Sequence, residues 1–283
     1  LGLGEYRFSP RYNAFFNDPN QMAFWVLCVA AISILYYGNS GHLILTAMIF
    51  LATAFLIFLT ASRSALAGFV ILALGFFAGY LRGFEGVVKF KQIAAYLIGI
   101  FIASYGVYYF LNTDSDATSF MLSRVDIIDA GEQARIRGYT RILEHPEYII
   151  FGAGNGMDER FDAEGTEIHS TWAGIVFYYG VPGIFLFLAV LYSIFKKLAL
   201  NEKLFFLAPL FYSFSTFGLR TPIFWIFLGF FYMVTLKKQK ELNSNAQTRP
   251  HHFPRPLTGQ FPRPVDPQAA SPGHSGAGPG AQL

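Results

Sequence analysis

The chain has 283 residues, of which 53% are hydrophobic, 18% aromatic and only 14% charged, and its formal net charge is +3. That balance is too apolar for an ordinary soluble domain and too weakly basic to argue for a nucleic-acid partner. It predicts an all-α fold, a polytopic bundle of transmembrane helices carrying one sizeable extracytoplasmic loop.

In chain order, "LGLGEYRF" shows neither an initiating Met nor a charged segment followed by an apolar one, so no signal peptide is read there and further helices are expected ahead of it. Residues 1–21 form a leading extracytoplasmic segment. Its "FNDPNQMAFW" reads as a turn, with Asn20 expected to cap the first span. A crossing helix needs about 20 apolar residues, and about 17 at the least. Four runs at 22–38, 42–59, 64–81 and 92–111 give spans one to four. Cys28 lies inside the first and reads as a small buried hydrophobe. "TASRSA" sets Arg63 at the junction of the second and third, where a lone arginine reads as an interface anchor.

Residues 112–169 form the long loop, and runs at 170–195, 204–219 and 221–236 give spans five to seven, the last two joined at "FGLRTP". Residues 237–283, rich in Pro, Gly, Ser and Gln beyond about 244, are expected to form a disordered cytoplasmic tail, and the abrupt change of composition reads as a non-native extension.

Short loops fix the orientation. Lys89 and Lys91 follow the third span with Arg82, Lys196, Lys197 and Lys203 follow the fifth, and "KKQK" follows the seventh. Lys and Arg favour the cytoplasmic side, so these loops are expected inside and the long loop, which contains no Lys, outside. The span interiors carry no Asp, Glu, Lys or Arg, which counts against an ion-coupled transporter.

The informative polar residues therefore gather at the outer rim. In "EQARIRGYTRILEHP", Arg137 and Arg141 are four apart, as are Arg135 and Tyr139, so each pair is expected to share a helix face. Converging guanidiniums suit a phosphate or pyrophosphate, through bidentate charge-assisted hydrogen bonds. The alternative is a solvated helix whose arginines pair with Asp126, Asp129, Glu132, Glu144 and Glu147. Gly152, Gly154 and Gly156 of "FGAGNG" allow tight turns and an approach of backbone N–H groups to an anion. His169 in "EIHSTW" is a candidate general base, or simply a histidine ahead of a helix capped by Ser170 or Thr171. Asp114 and Asp116 have a D-x-D spacing, for which a polar exit from the fourth span is sufficient explanation, so no metal is assigned.

The order of these motifs, from "RYNAFFNDPNQMAF" through "LTASRSALAGF", the Arg-x-x-x-aromatic segment and "GAGNG" to "EIHSTW" and "YYGVPGIFLF", resembles the O-antigen ligase and polymerase superfamily over about residues 11 to 190. The resemblance matches Arg11 and Asp18-Pro19-Asn20 to the family's Arg and Pro-Asn, Arg63 to its Ser-Arg and Arg135 with Tyr139 to its Arg-x-x-x-Trp. It matches Gly152, Gly154 and Gly156 to the family's glycine motif and His169 to its His-Asn. This chain departs by carrying Tyr139 for Trp and Ser170 for Asn.

What the resemblance implies is an enzyme of the bacterial inner membrane, working without cofactor or metal on undecaprenyl-pyrophosphate-linked glycans at the periplasmic face. His169 and Arg135 would be its catalytic pair; Arg63, Arg137, Arg141, Arg220, Asp18, Asn20, Gly152, Gly154 and Gly156 would bind substrate. The expected activity is polymerisation of O-antigen or exopolysaccharide repeat units. The alternatives are ligation of the glycan to lipid A core or protein, and flipping of the lipid-linked glycan. Membrane lipids, and a chain-length regulator or flippase of the same pathway, would be its partners.

Overall fold

The computed structural model describes residues 11–82, 137–156, 158–161 and 167–248. These residues are helical and contain no β-strand. The helices are α1 (Pro19–Asn39), α2 (Leu43–Leu59), α3 (Arg63–Arg82), α4 (Thr140–Glu144), α5 (Tyr148–Phe151), α6 (Thr171–Phe195), α7 (Leu200–Tyr212) and α8 (Pro222–Thr248), with 3₁₀ turns at Asp158–Arg160 and Gly218–Arg220. The described residues up to Gln239 belong to one compact unit.

α1 is the central helix. Its buried side chains, among them Met22, Phe24, Leu27 and Cys28, cover most of its circumference, leaving a face at Trp25 and Tyr36 exposed, as expected where neighbours cover most faces. It packs on α2, α7 and α3, and α3 runs along α7. The last pair approach closely because α3 turns Gly68 and Gly75 toward its neighbours: a Cβ at Gly68 would stand 3.2 Å from the Ala208 carbonyl, and one at Gly75 3.0 Å from Leu204. α2 buries only Thr46, Thr53 and Ile57, on one face. Ile44, Met48, Leu51 and Phe55, at i, i+4, i+7 and i+11, are exposed. An apolar stripe of that kind suits hydrocarbon or a partner surface rather than water.

Two helices, Pro19–Asn39 and Thr171–Phe195, are long and apolar enough to cross a membrane, and Leu43–Leu59 and Arg63–Gly79 are shorter apolar helices. The first three expected spans thus coincide with α1, α2 and α3; the fourth, at 92–111, lies outside the described residues, as do Asp114 and Asp116. The fifth is not one continuous helix. Gly180 has φ +65° and ψ −163°, a region almost restricted to glycine, and splits α6 into two arms. The rings of Trp172 and Phe187 meet at 5.5 Å. On a straight helix fifteen residues would separate them by about 22 Å, so the arms fold toward each other. The sixth run is displaced: α7 ends at Tyr212, and a turn carries the chain to Gly218.

The seventh run continues as α8 through Thr248, so the tail expected to be disordered from 237 begins as helix. Lys, Gln, Glu and Leu in "KKQKELNSNAQT" are good helix formers, and an existing helix extends into them without a new nucleus.

Candidate functional site

One end of the unit carries a knot of polar groups where α2 and α7 finish and α1, α3 and α6 begin. Asp18, extended at φ −142°, caps α1 through a hydrogen bond from the Asn20 amide to its carboxylate, and Pro19 occupies the first turn. This corrects the assignment of Asn20 as the cap. Pro suits the first helical position, whose N–H has no partner in the helix, and that places the cap one residue earlier.

Asn20 uses its side chain elsewhere. Its Oδ1 accepts from Arg11 Nη2 at 3.0 Å. The Tyr212 hydroxyl donates to the Asn20 carbonyl at 3.1 Å, stands 3.3 Å from that Oδ1 and meets Ser62 Oγ at 3.2 Å. Arg11 Nε donates to the Thr60 carbonyl at 2.9 Å, and the Tyr12 amide to the Leu59 carbonyl at 3.1 Å. The end of α2, where carbonyls lack helical partners and the dipole is negative, thereby gains donors and a cation. Burial lowers the pKa of Arg11 from its ordinary value, with Asp18 opposing the shift.

A second set ties α6 into this knot. Ser170, extended at φ −153°, caps α6 by accepting from the Ala173 amide at 3.2 Å. Thr171 is fully buried; its hydroxyl donates to the Thr216 carbonyl at 2.8 Å and accepts from the Gly218 amide at 2.7 Å. The Tyr139 hydroxyl donates to the Phe214 carbonyl at 2.7 Å, which clips the loop to the turn after α7. Ser64 and Ser215 hydroxyls meet at 2.7 Å.

His169 sits between these sets. Its amide donates to the Arg137 carbonyl at 3.1 Å. Its ring is solvent-accessible on one side, and partial burial on the other lowers its pKa from the usual 6.5. Asp18 opposes that shift, while Arg220 and Arg137 add to it. Asp18, Arg137 and Arg220 therefore lie within electrostatic reach of the ring. Arg220 is ion-paired with Glu167.

Of the expected site residues, the fold brings together Asp18, Asn20, Arg137, His169 and Arg220, with Arg11. Arg63 is the first residue of α3, next to Ser62 of the knot, and is exposed. Arg135 lies outside the described residues. Arg141 does not face the rim. It is buried in the loop, its guanidinium 5.5 Å from the Phe161 ring and 5.9 Å from the Phe177 ring. It shares no helix face with Arg137, because α4 begins only at Thr140.

The glycine motif also has another use. The Ala153 amide donates to the Phe177 carbonyl at 2.8 Å and the Gly154 amide to the Tyr178 carbonyl at 3.0 Å, while the Gly152 amide bonds Tyr148. These acceptors are the carbonyls left open where the first arm of α6 stops at Gly180. "FGAG" therefore caps a helix C-terminus from a distant part of the chain. Gly152, at φ +85°, is required by contact: a Cβ there would stand 2.4 Å from the Tyr178 oxygen. Gly154 is at φ +75°, and neither it nor Gly156 has a neighbour that a Cβ would meet.

No family model, curated protein or solved structure matches the chain. The superfamily resemblance is carried by its ordered motifs alone. Among the described residues no group of three or more His, Cys, Asp or Glu could hold a metal.

The residues that sequence reasoning passed over are Tyr212, Ser62, Thr216 and Glu167. Tyr212 lies inside the apolar run "FFLAPLFYSF" and carries no local mark of a polar role. The small hydroxyl residues interrupt apolar runs, the one signal that helix ends there need partners.

Proposed function

We propose that this protein is a membrane glycosyltransferase that polymerises glycan repeat units carried on undecaprenyl pyrophosphate, with its reaction centre on the extracytoplasmic side. The observation that carries the reading is the meeting, at one end of an apolar bundle, of segments far apart in sequence: the His169 amide bonds the Arg137 carbonyl, Arg220 pairs with Glu167 two residues before His169, and Arg11 bonds Asn20 beside Asp18. Among the described residues, three arginines stand against Asp18 and Glu167 at that end, and the positive ends of α1, α3 and α6 add to the field. A diphosphate at the head of a lipid matches such a surface. The apolar faces of α2 and α6 supply the setting in which its hydrocarbon tail is soluble.

The chemistry needs neither nucleotide nor metal, because the diphosphate is already a good leaving group. Neutral His169 takes the proton of the acceptor hydroxyl as that oxygen bonds the anomeric carbon. The bond from that carbon to the phosphate oxygen breaks with its electron pair, and Arg137, with Arg220, stabilises the charge that develops on the departing diphosphate.

Reconstitution of the full chain with an undecaprenyl-diphosphate-linked repeat unit tests the reading. The expected product is a ladder of lipid-linked oligomers, reduced by about 10² to 10⁴ in rate for His169→Ala, the usual contribution of a general base. Transfer only to added lipid A core would make the protein a ligase, and movement of the lipid across the bilayer without any new glycosidic bond would make it a flippase.

A further inference from the structure

At the opposite end of the unit, α6 finishes and α7 begins among lysines. Between them lies an apolar groove of about 360 Å³, lined by Leu188, Leu191, Tyr192 and Phe195 of the second arm of α6, by Phe206, Leu207, Leu210 and Phe211 of α7 and by Ile71, and extending at its other end to Trp172 and Phe214. Its lining is almost wholly hydrocarbon and aromatic ring. Its lower mouth differs. Lys196 holds its Nζ 5.4 Å from the Tyr192 ring centroid, and Lys203 holds its Nζ 4.9 Å from that of Phe195. Both rings line the groove, so both ammonium groups stand at its edge.

Neighbouring charges are spent differently. Lys238 pairs with the buried carboxylate of Glu202, which also accepts from the Ala199 amide at 2.8 Å, and Lys197 donates to Gln239 Oε1 at 3.1 Å. Lys196 and Lys203 have no carboxylate partner among the described residues. Two uncompensated cations over aromatic faces, at the end of a hydrocarbon slot, form a site with one polar and one apolar half.

We infer that this groove holds one anionic phospholipid of the cytoplasmic leaflet, its phosphate at Lys196 and Lys203 and an acyl chain along Leu191, Phe206 and Leu210. A phosphate supplies the charge these lysines lack, and the chain covers the groove wall. The lysine end that holds the phosphate is separate from the rim that carries His169, which only the far end of the groove approaches, at Trp172 and Phe214. It rests on the membrane setting but not on the transfer chemistry.

The test is retention of lipid by the detergent-purified full chain, followed by native mass spectrometry with phosphatidylglycerol, phosphatidylethanolamine or undecaprenyl monophosphate as the added probe. The expected result is one phosphatidylglycerol per chain in preference to phosphatidylethanolamine, with binding weakened by raised salt. Lys196→Ala with Lys203→Ala should weaken it about thirty-fold, roughly fivefold for each basic side chain near a phosphate. Leu207→Trp, which fills the slot without touching charge, should also displace the lipid. His169→Ala should keep the lipid while losing transfer, which separates this site from the proposed activity. Equal retention of the two phospholipids, or binding unchanged by the double lysine variant, would overturn the inference. So would undecaprenyl monophosphate displacing phosphatidylglycerol in a manner dependent on Arg137 and Arg220, which would assign the groove to the transfer substrate.

Discussion

A neutral imidazole flanked by guanidiniums can accept a proton at a pH where a free histidine is already half charged. For His169 the sign follows from its neighbours: burial, Arg220 and Arg137 all disfavour the cation and Asp18 favours it. Transfer should therefore hold at neutral pH and fall only as pH drops below the ordinary histidine range. Removing a cation must raise the pKa, so Arg220→Gln should shift the acid limb of the pH–rate profile upward, and NMR titration of the ring should move the same way. A profile unchanged in Arg220→Gln would separate His169 from the acid limb. Tyr212 tests the knot itself. Tyr212→Phe leaves ring packing intact while leaving Ser62 and Asn20 short of a partner, at a cost of about 1–3 kcal/mol. The checkable outcome is a lower unfolding midpoint in detergent with an unchanged helical spectrum. Sequence pattern exposed His169, Asp18 and Arg137 because polar residues at the ends of apolar runs stand out. It hid Tyr212, whose hydroxyl finds its partners 150 and 192 positions away, and it did not reveal that Arg141 is buried. Spacing cannot tell a guanidinium in solvent from one packed beside two phenyl rings.

Helices obey the same division. Runs bounded by turn signals gave α1, α2 and α3 nearly to the residue, since apolar length alone defines them. α6 was read through because Gly and Pro do not lower the hydropathy of "YYGVPGIFLF". Yet Gly180 ends one arm and Pro182 falls in the first turn of the next, where its missing N–H is harmless. The break then determines the role of "FGAGNG": two carbonyls freed at the bend must be paired, and the loop pairs them. Gly180→Ala should be severe for two reasons. Its backbone conformation costs an L residue about 1–3 kcal/mol, and a Cβ there would stand 2.5 Å from the Ile150 carbonyl. Gly156→Ala, where a Cβ meets nothing, is the internal control. Limited proteolysis of the two purified variants should show the loop cut readily in Gly180→Ala and protected in Gly156→Ala. Equal protection would mean that the loop does not depend on the bend.

At the scale of the whole molecule, the charged groups divide between two ends. Arg11, Asp18, Arg137, His169 and Arg220 are brought together at one by their hydrogen bonds and fields, while Lys196, Lys197, Lys203 and Lys238 crowd the other. Apolar surface lies between them: Phe185 is 66% and Leu186 70% exposed on α6, and Ile226 is 60% exposed on α8. In water so much exposed hydrocarbon would drive association, whereas in a bilayer it is solvated. On the proposed membrane reading, the lysine excess would set the second end in the cytoplasm. The assignment is testable because the chain has a single cysteine, Cys28, which is buried. In a Cys28→Ala background, Glu144→Cys on the exposed loop should react with a membrane-impermeant maleimide on intact spheroplasts. Lys237→Cys should react only after permeabilisation. The reverse pattern would set the histidine and arginines in the cytoplasm, where nucleotide sugars are available and a pre-activated lipid-linked donor loses its rationale. It would also turn the lysine groove outward. One labelling experiment therefore bears on both sites, whereas the lipid-retention and transfer assays address them singly.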